Sequence, residues 1–218
     1  MLTLYAHPFS SYSQKVLIAL YENATPFEFK LLAPENPTAA AEWAQLWPLK
    51  KFPVLVDGGR TVVEASIIVE YLDLHHMGPV RFVPASPVEA LEARTIDRFF
   101  DNYVMAPMQK IVTDALRPKA DRDMFGVTEA RKMLETAYAW LDGAMTVRTW
   151  AAGETFSIAD CAAAPSLFYA DWAHQIGAQY PRVRAYRQRL LARPSVARAV
   201  DEARPYRSLF PLGAPDRD

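Results

Sequence analysis

Residues 51–72 limit what this chain can fold into more than any other stretch. Lys51-Phe52-Pro53-Val54-Leu55 leads an X-Pro bond into an apolar run, Gly58-Gly59 turns the chain, and Glu64-Ala65-Ser66 opens a helix through Tyr71-Leu72. Proline cannot donate to a central ladder, so Pro53 marks the start of a strand. X-Pro is also where a cis bond costs least, roughly 0.5–1 kcal/mol. A cis bend there turns the Phe52 backbone outward, free to pair with an extended, peptide-like ligand. The N–H groups of the following helix start face the same side and suit a carboxylate. The stretch reads either as a socket for a small peptide with a carboxylate or as a plain hairpin leading into a core helix.

The flanking pattern supplies the architecture. Leu2–Ala6 reads as a strand, His7–Ser11 as a turn, and a helix follows with Val16, Ala19 and Leu20 on one face. Phe27–Leu31 is a second strand and Thr38–Leu46 a second helix; strands near Val54–Val56 and Thr61–Val63 close the unit with the helix from Glu64. This order predicts a crossover pair of parallel strands, then an antiparallel hairpin. Residues 78–87 hold three prolines and read as a linker. Beyond them the strand pattern stops. Helices are expected over Val88–Val112, interrupted or kinked at Pro107, and over Val127–Met145, Ser157–Gly177, Pro181–Ala192 and Pro194–Ala203, with a patternless tail from Pro205. Ser157-Ile158-Ala159-Asp160 is a capping box, with Phe156 placed to staple onto Cys161. The expected fold class is α/β plus all-α: a mixed unit at 1–77, a linker at 78–87 and a helical unit at 88–218.

Composition narrows the function classes. A net charge of -1 favours neither nucleic acid nor an acidic membrane surface as a partner. No apolar run approaches the roughly 20 residues needed to span a bilayer, and the strand-like start Leu2-Thr3-Leu4-Tyr5 carries no secretory signal, so a cytoplasmic protein is expected. The single cysteine, Cys161, leaves no internal disulfide and no cysteine-rich metal site, and no metal is expected. Nothing basic flanks Cys161, so it reads as a small apolar residue rather than a reactive thiol.

The strand–Ser turn–helix at Leu4–Leu20, the Lys51–Leu55 edge, the Glu64-Ala65-Ser66…Glu70-Tyr71-Leu72 helix and the Ser157–Asp160 box occur in that order. Together with Tyr180-Pro181…Ala192-Arg193-Pro194-Ser195-Val196, they resemble the cytosolic glutathione transferase superfamily over nearly the whole chain. The resemblance implies a thioredoxin-like N-terminal domain, a helical C-terminal domain, a homodimer and glutathione as co-substrate in a detoxification reaction. It is similar to Ser-type, theta- or zeta-like members, in which the catalytic hydroxyl falls at Ser10. Ser11 is its neighbour, and Tyr5 is the position of the catalytic tyrosine in other members. Lys51 matches the contact to the glycyl carboxylate, Phe52 with Pro53 the backbone pairing to the cysteinyl part, and Glu64 with Ala65 the γ-glutamyl end. Where the family has Glu-Ser, this chain has Glu64-Ala65, and Ser66 stands one place later as a partial substitute. The small-molecule electrophile is expected between the domains, against Phe99, Tyr103, Met108 and Trp172, with Met105, Phe168 and Tyr169 as further candidates.

The chemistry such a site needs is modest. A free thiol has a pKa of about 8.5. Lowering it by two units takes roughly 2.7 kcal/mol of preference for the anion. One hydrogen bond to the charged sulfur supplies about 1.5–3 kcal/mol, and a helix N-terminus adds about 0.3–1 kcal/mol. A Ser10 hydroxyl at a helix start is therefore sufficient, and capping that helix is compatible with it. Two other functions fit the same pattern: a binding or regulatory protein without turnover, which Ala65 favours, and a disulfide-reducing enzyme, which would need a cysteine near residue 10.

Overall fold

The computed structural model describes all 218 residues. Its first part runs β1 (Leu2–Ala6), α1 (Ser11–Glu22), β2 (Phe27–Leu31), α2 (Pro37–Leu46), β3 (Val54–Asp57), β4 (Arg60–Val63) and α3 (Ala65–His75). The strands form one sheet in the order β2-β1-β3-β4. β1 and β2 are parallel, with Leu4 opposite Phe29, as a helical crossover requires. β3 is antiparallel to both β1 and β4, with Leu4 opposite Leu55 and Leu55 opposite Val62. Gly58 and Gly59 take φ values of 52° and 92°, which lets two residues reverse the chain between β3 and β4. The Phe52–Pro53 bond that leads into β3 is cis. This is the crossover pair and antiparallel hairpin expected from the strand and helix order, and the thioredoxin-like topology that the resemblance implies.

The second part is all-helical. α4 (Pro87–Phe99) begins at a Ser86 cap and passes into a π-helical segment, Phe100–Met105, before α5 (Ala106–Ala115). The interruption expected at Pro107 thus takes the form of a widened turn ahead of it. Proline has no N–H for the carbonyl one turn back and its ring crowds that carbonyl. A π turn moves the bonding to the fifth residue and makes room. α6 (Met124–Ala144), α7 (Ile158–Ala173), α8 (Pro181–Leu191) and α9 (Pro194–Ala203) follow. Every residue of α7 is buried, so it forms the axis of this part. The Ser157–Asp160 capping box starts α7. Asp160 also accepts the Ala151 N–H at 2.9 Å and the Tyr186 hydroxyl at 2.6 Å, which ties a preceding loop and α8 to the same helix end. Cys161 is fully buried there, and burial pushes its thiol up, in keeping with its apolar reading. No helix is long and apolar enough to cross a membrane.

The two parts meet across a buried ionic cluster. Lys15 of α1 is 1% exposed. Its Nζ lies 2.6 Å from Asp97 Oδ1 and 3.0 Å from Asp101 Oδ2, and donates to Ser66 Oγ at 2.7 Å. Arg98 reaches both carboxylates from the solvent side, each at 2.6 Å. A buried ammonium alone would cost several kcal/mol; two carboxylates and a hydroxyl compensate it only in this mutual geometry. The cluster therefore fixes α1, α3 and the α4–π junction relative to one another.

Candidate functional site

Ser10 ends the turn between β1 and α1. Its N–H donates to the His7 carbonyl at 3.0 Å, and its Oγ accepts the Ser13 N–H at 3.3 Å, capping α1. The hydroxyl proton is thereby left to donate outward, where Ser10 lines a cleft of about 490 Å³. Tyr12 of α1 lines the same cleft. Burial, then the charge of Asp101, pushes its phenol up to about 12, so it stays a neutral donor.

The facing wall is backbone. Phe52 lies just outside β3, and neither its N–H nor its C=O has a partner within the chain. Those two groups offer the pairing that an extended peptide needs. Glu64 stands at the head of α3 with φ 68° and ψ 117° and makes no side-chain cap. A non-glycine residue held there costs on the order of 1–3 kcal/mol, a form of strain that clusters at ligand sites. The N–H groups of Ala65, Ser66 and Ile67 remain unpaired. An uncapped helix start beside a carboxylate offers one end to an anion and the other to an ammonium. Lys50 and Lys51 enter from one side of the cleft, Arg98, Asp101 and Asn102 from the other.

A second cleft, of about 280 Å³, shares Ser10, Phe52 and Gln109 with the first. Its walls are apolar: Phe9, Met108, Val112 and Phe210, with the ring of Tyr169. The Tyr169 hydroxyl donates to the Phe9 carbonyl at 2.9 Å and accepts from Gln14 Nε2 at 3.0 Å. The wall is thus fastened to the turn that presents Ser10.

Of the residues singled out from sequence, Ser10, Lys51, Phe52, Pro53, Glu64 and Ala65 line the polar cleft, and Ser11, Met108 and Tyr169 the apolar one. Four lie elsewhere. The Tyr5 hydroxyl donates to Glu42 at 2.8 Å, on neither cleft, and burial and that bond push it up to about 12. The Ser66 hydroxyl points into the ionic cluster, accepting from Lys15 and donating to Asp97 Oδ2 at 2.8 Å, so it does not replace a hydroxyl at position 65. Trp172 stands one layer back, against Phe9 and Phe210. Phe99 and Tyr103 pack with each other, and the Phe99 ring lies tilted against Trp140 with centroids 4.4 Å apart. Met108 is nine residues from Phe99, about 180° around an α-helix, so helical spacing does not place the two on one face. The sequence reading passed over Tyr12, Lys50, Arg98, Asn102, Gln109, Phe9, Val112 and Phe210. Phe9 was findable as the neighbour of Ser10; Phe210, in the patternless tail, carried no signal.

Models of two domains match the chain: "Glutathione S-transferase, N-terminal domain" over residues 1–74 and "Glutathione S-transferase, C-terminal domain" over residues 119–189. Glutathione S-transferase U10 of Arabidopsis thaliana is 31% identical over 56% of this chain; the match spans about half, 51%, of that relative's length. FtsZ-localized protein A of Caulobacter vibrioides is 30% identical over 78% of this chain and 77% of its own. Among solved structures, a glutathione S-transferase from Methylobacillus flagellatus with GSH bound is 25% identical, with a TM-score of 0.81 over 91% of this chain and 98% of that one.

Proposed function

Since this chain belongs to the cytosolic glutathione transferase superfamily, we propose that it activates glutathione as a thiolate for attack on a small apolar electrophile, with Ser10 holding the sulfur. The observation that carries this reading is the meeting of the two clefts at Ser10: one is polar with free backbone donors, the other apolar. Glutathione would lie along Phe52, its glycyl carboxylate toward Lys51, its γ-glutamyl ammonium toward Glu64 and its α-carboxylate on the free N–H groups of α3. The cysteinyl sulfur then falls beside Ser10, at the border of the apolar cleft. The thiol proton leaves to solvent, the sulfur lone pair forms the new bond to carbon, and the displaced group departs with its electrons. A Ser-type mechanism, a cytoplasmic homodimer and a role in detoxification belong to the same proposal. So does a glutathione-binding unit at 1–77, joined by residues 78–87 to a helical unit at 88–218.

A binding or regulatory protein without turnover is the second reading. The absent hydroxyl at Ala65, which Ser66 does not restore, favours it, as does a relative named for localisation rather than catalysis. The ultraviolet thiolate band of bound glutathione, titrated with pH, separates the two. Ser10→Ala is expected to raise the midpoint by roughly one to two units, the loss of one hydrogen bond to a charged group. Tyr5→Phe is expected to leave it in place, and Tyr12→Phe measures the other phenol on the cleft. Saturating glutathione with no band in the wild type would reject the transferase and favour the binding protein.

A further inference from the structure

The charges around the polar cleft do not balance against glutathione, and the excess sits at one residue. Glutathione brings one ammonium, two carboxylates and the thiolate. On the reading above, Glu64, the head of α3, Lys51 and Ser10 take one each. Arg98 and Asp101 are matched to each other at 2.6 Å, and Asp97 and Lys15 complete their cluster. Lys50 is left over. It lines the cleft beside Lys51, and its side chain makes no ion pair or hydrogen bond in a chain where most other cations are paired. Its backbone is equally unusual, with φ at +51° and its N–H donating to the Trp47 carbonyl at 2.9 Å. Glycine or asparagine adopts that conformation at lower cost. A long cation held in left-handed backbone at the rim of a binding cleft points to a ligand group rather than to the fold.

We propose that Lys50 receives a second anionic group at the C-terminal end of the ligand, so that the site prefers a γ-glutamyl-cysteinyl peptide ending in an acidic residue over glutathione itself. This rests on the glutathione reading. Lys51 takes the terminal carboxylate, as it would for glycine, and Lys50 takes the side-chain carboxylate one residue along.

Calorimetric titration with glutathione and with γ-glutamyl-cysteinyl-glutamate tests it. The wild type is expected to bind the acidic peptide roughly two- to fivefold more tightly, the range of one exposed ion pair, and the ratio should shrink as salt is raised. Lys50→Asn keeps a residue that tolerates the left-handed backbone and removes the charge; it should bring the two affinities together. Lys50→Gly should do the same, with a thermal midpoint at or above the wild type. Equal wild-type affinities, or a preference that survives in Lys50→Asn, would overturn the proposal while leaving the glutathione site standing. Wild type that binds neither peptide would reject the glutathione reading itself, and this inference with it.

Discussion

At the scale of single residues, the turn from His7 to Ser10 governs the proposed chemistry. His7 Nδ1 accepts the Phe9 N–H at 3.1 Å, and the His7 carbonyl accepts the Ser10 N–H. A protonated Nδ1 cannot accept, so the neutral imidazole belongs to the folded turn. Burial holds His7 below its ordinary 6.5, against the opposing charge of Glu35. The unfolded chain therefore binds the proton first as pH falls. His7 contributes stability fully above about pH 6.5, and the contribution is lost as pH drops through the lower folded value. Thermal midpoints measured from pH 7.5 to 5.5 are expected to fall more steeply in the wild type than in His7→Gln, which keeps an acceptor that does not titrate. Ser10 was legible beforehand because a serine between a strand and a helix is a local pattern. Whether Tyr5 competed with it was not, since that depended on Glu42 reaching across from α2.

Among the elements, α7 shows how much a short motif can carry. Its capping box was readable because its hydrogen bonds join residues three apart. The Asp160 carboxylate also holds Ala151 and Tyr186, which nothing local announced. Urea unfolding is expected to show Ser157→Ala costing about 0.5–2 kcal/mol, the loss of one cap. Asp160→Asn should cost more, because one amide oxygen cannot accept from both the Ser157 N–H and the distant groups; each buried donor left unpaired costs about 1–3 kcal/mol. Equal costs for the two variants would show the longer-range bonds to be idle. The π segment is the contrary case. Pro107 announced a missing donor, but not that the chain would widen into a π turn ahead of it.

For the whole molecule, apolar side chains remain exposed across α3 and α4: Ile67, Leu74, Val88 and Leu91. Arg94 and Glu70 join these two helices at 2.8 Å, so the residues share one face. A homodimer would cover it, and sedimentation is expected to give a dimer that Leu74→Asp with Leu91→Asp converts to a monomer; a monomeric wild type would remove this face from consideration. What the sequence by itself determined was everything set within a few residues: strand and helix order, the edge at Phe52, the hairpin, the helix start at Glu64 and the Ser157 box. Sterics and hydrogen bonds of short reach decide those. What only the tertiary structure decided was which side chains from distant segments meet. Lys15 reads as an ordinary polar position in α1 until Asp97 and Asp101 arrive to bury it. Arg98 joins the polar cleft, Ser66 turns inward, and Phe210 walls the apolar cleft from a tail without pattern. Burial and charge pairing depend on packing between elements, and no local period encodes which faces will touch.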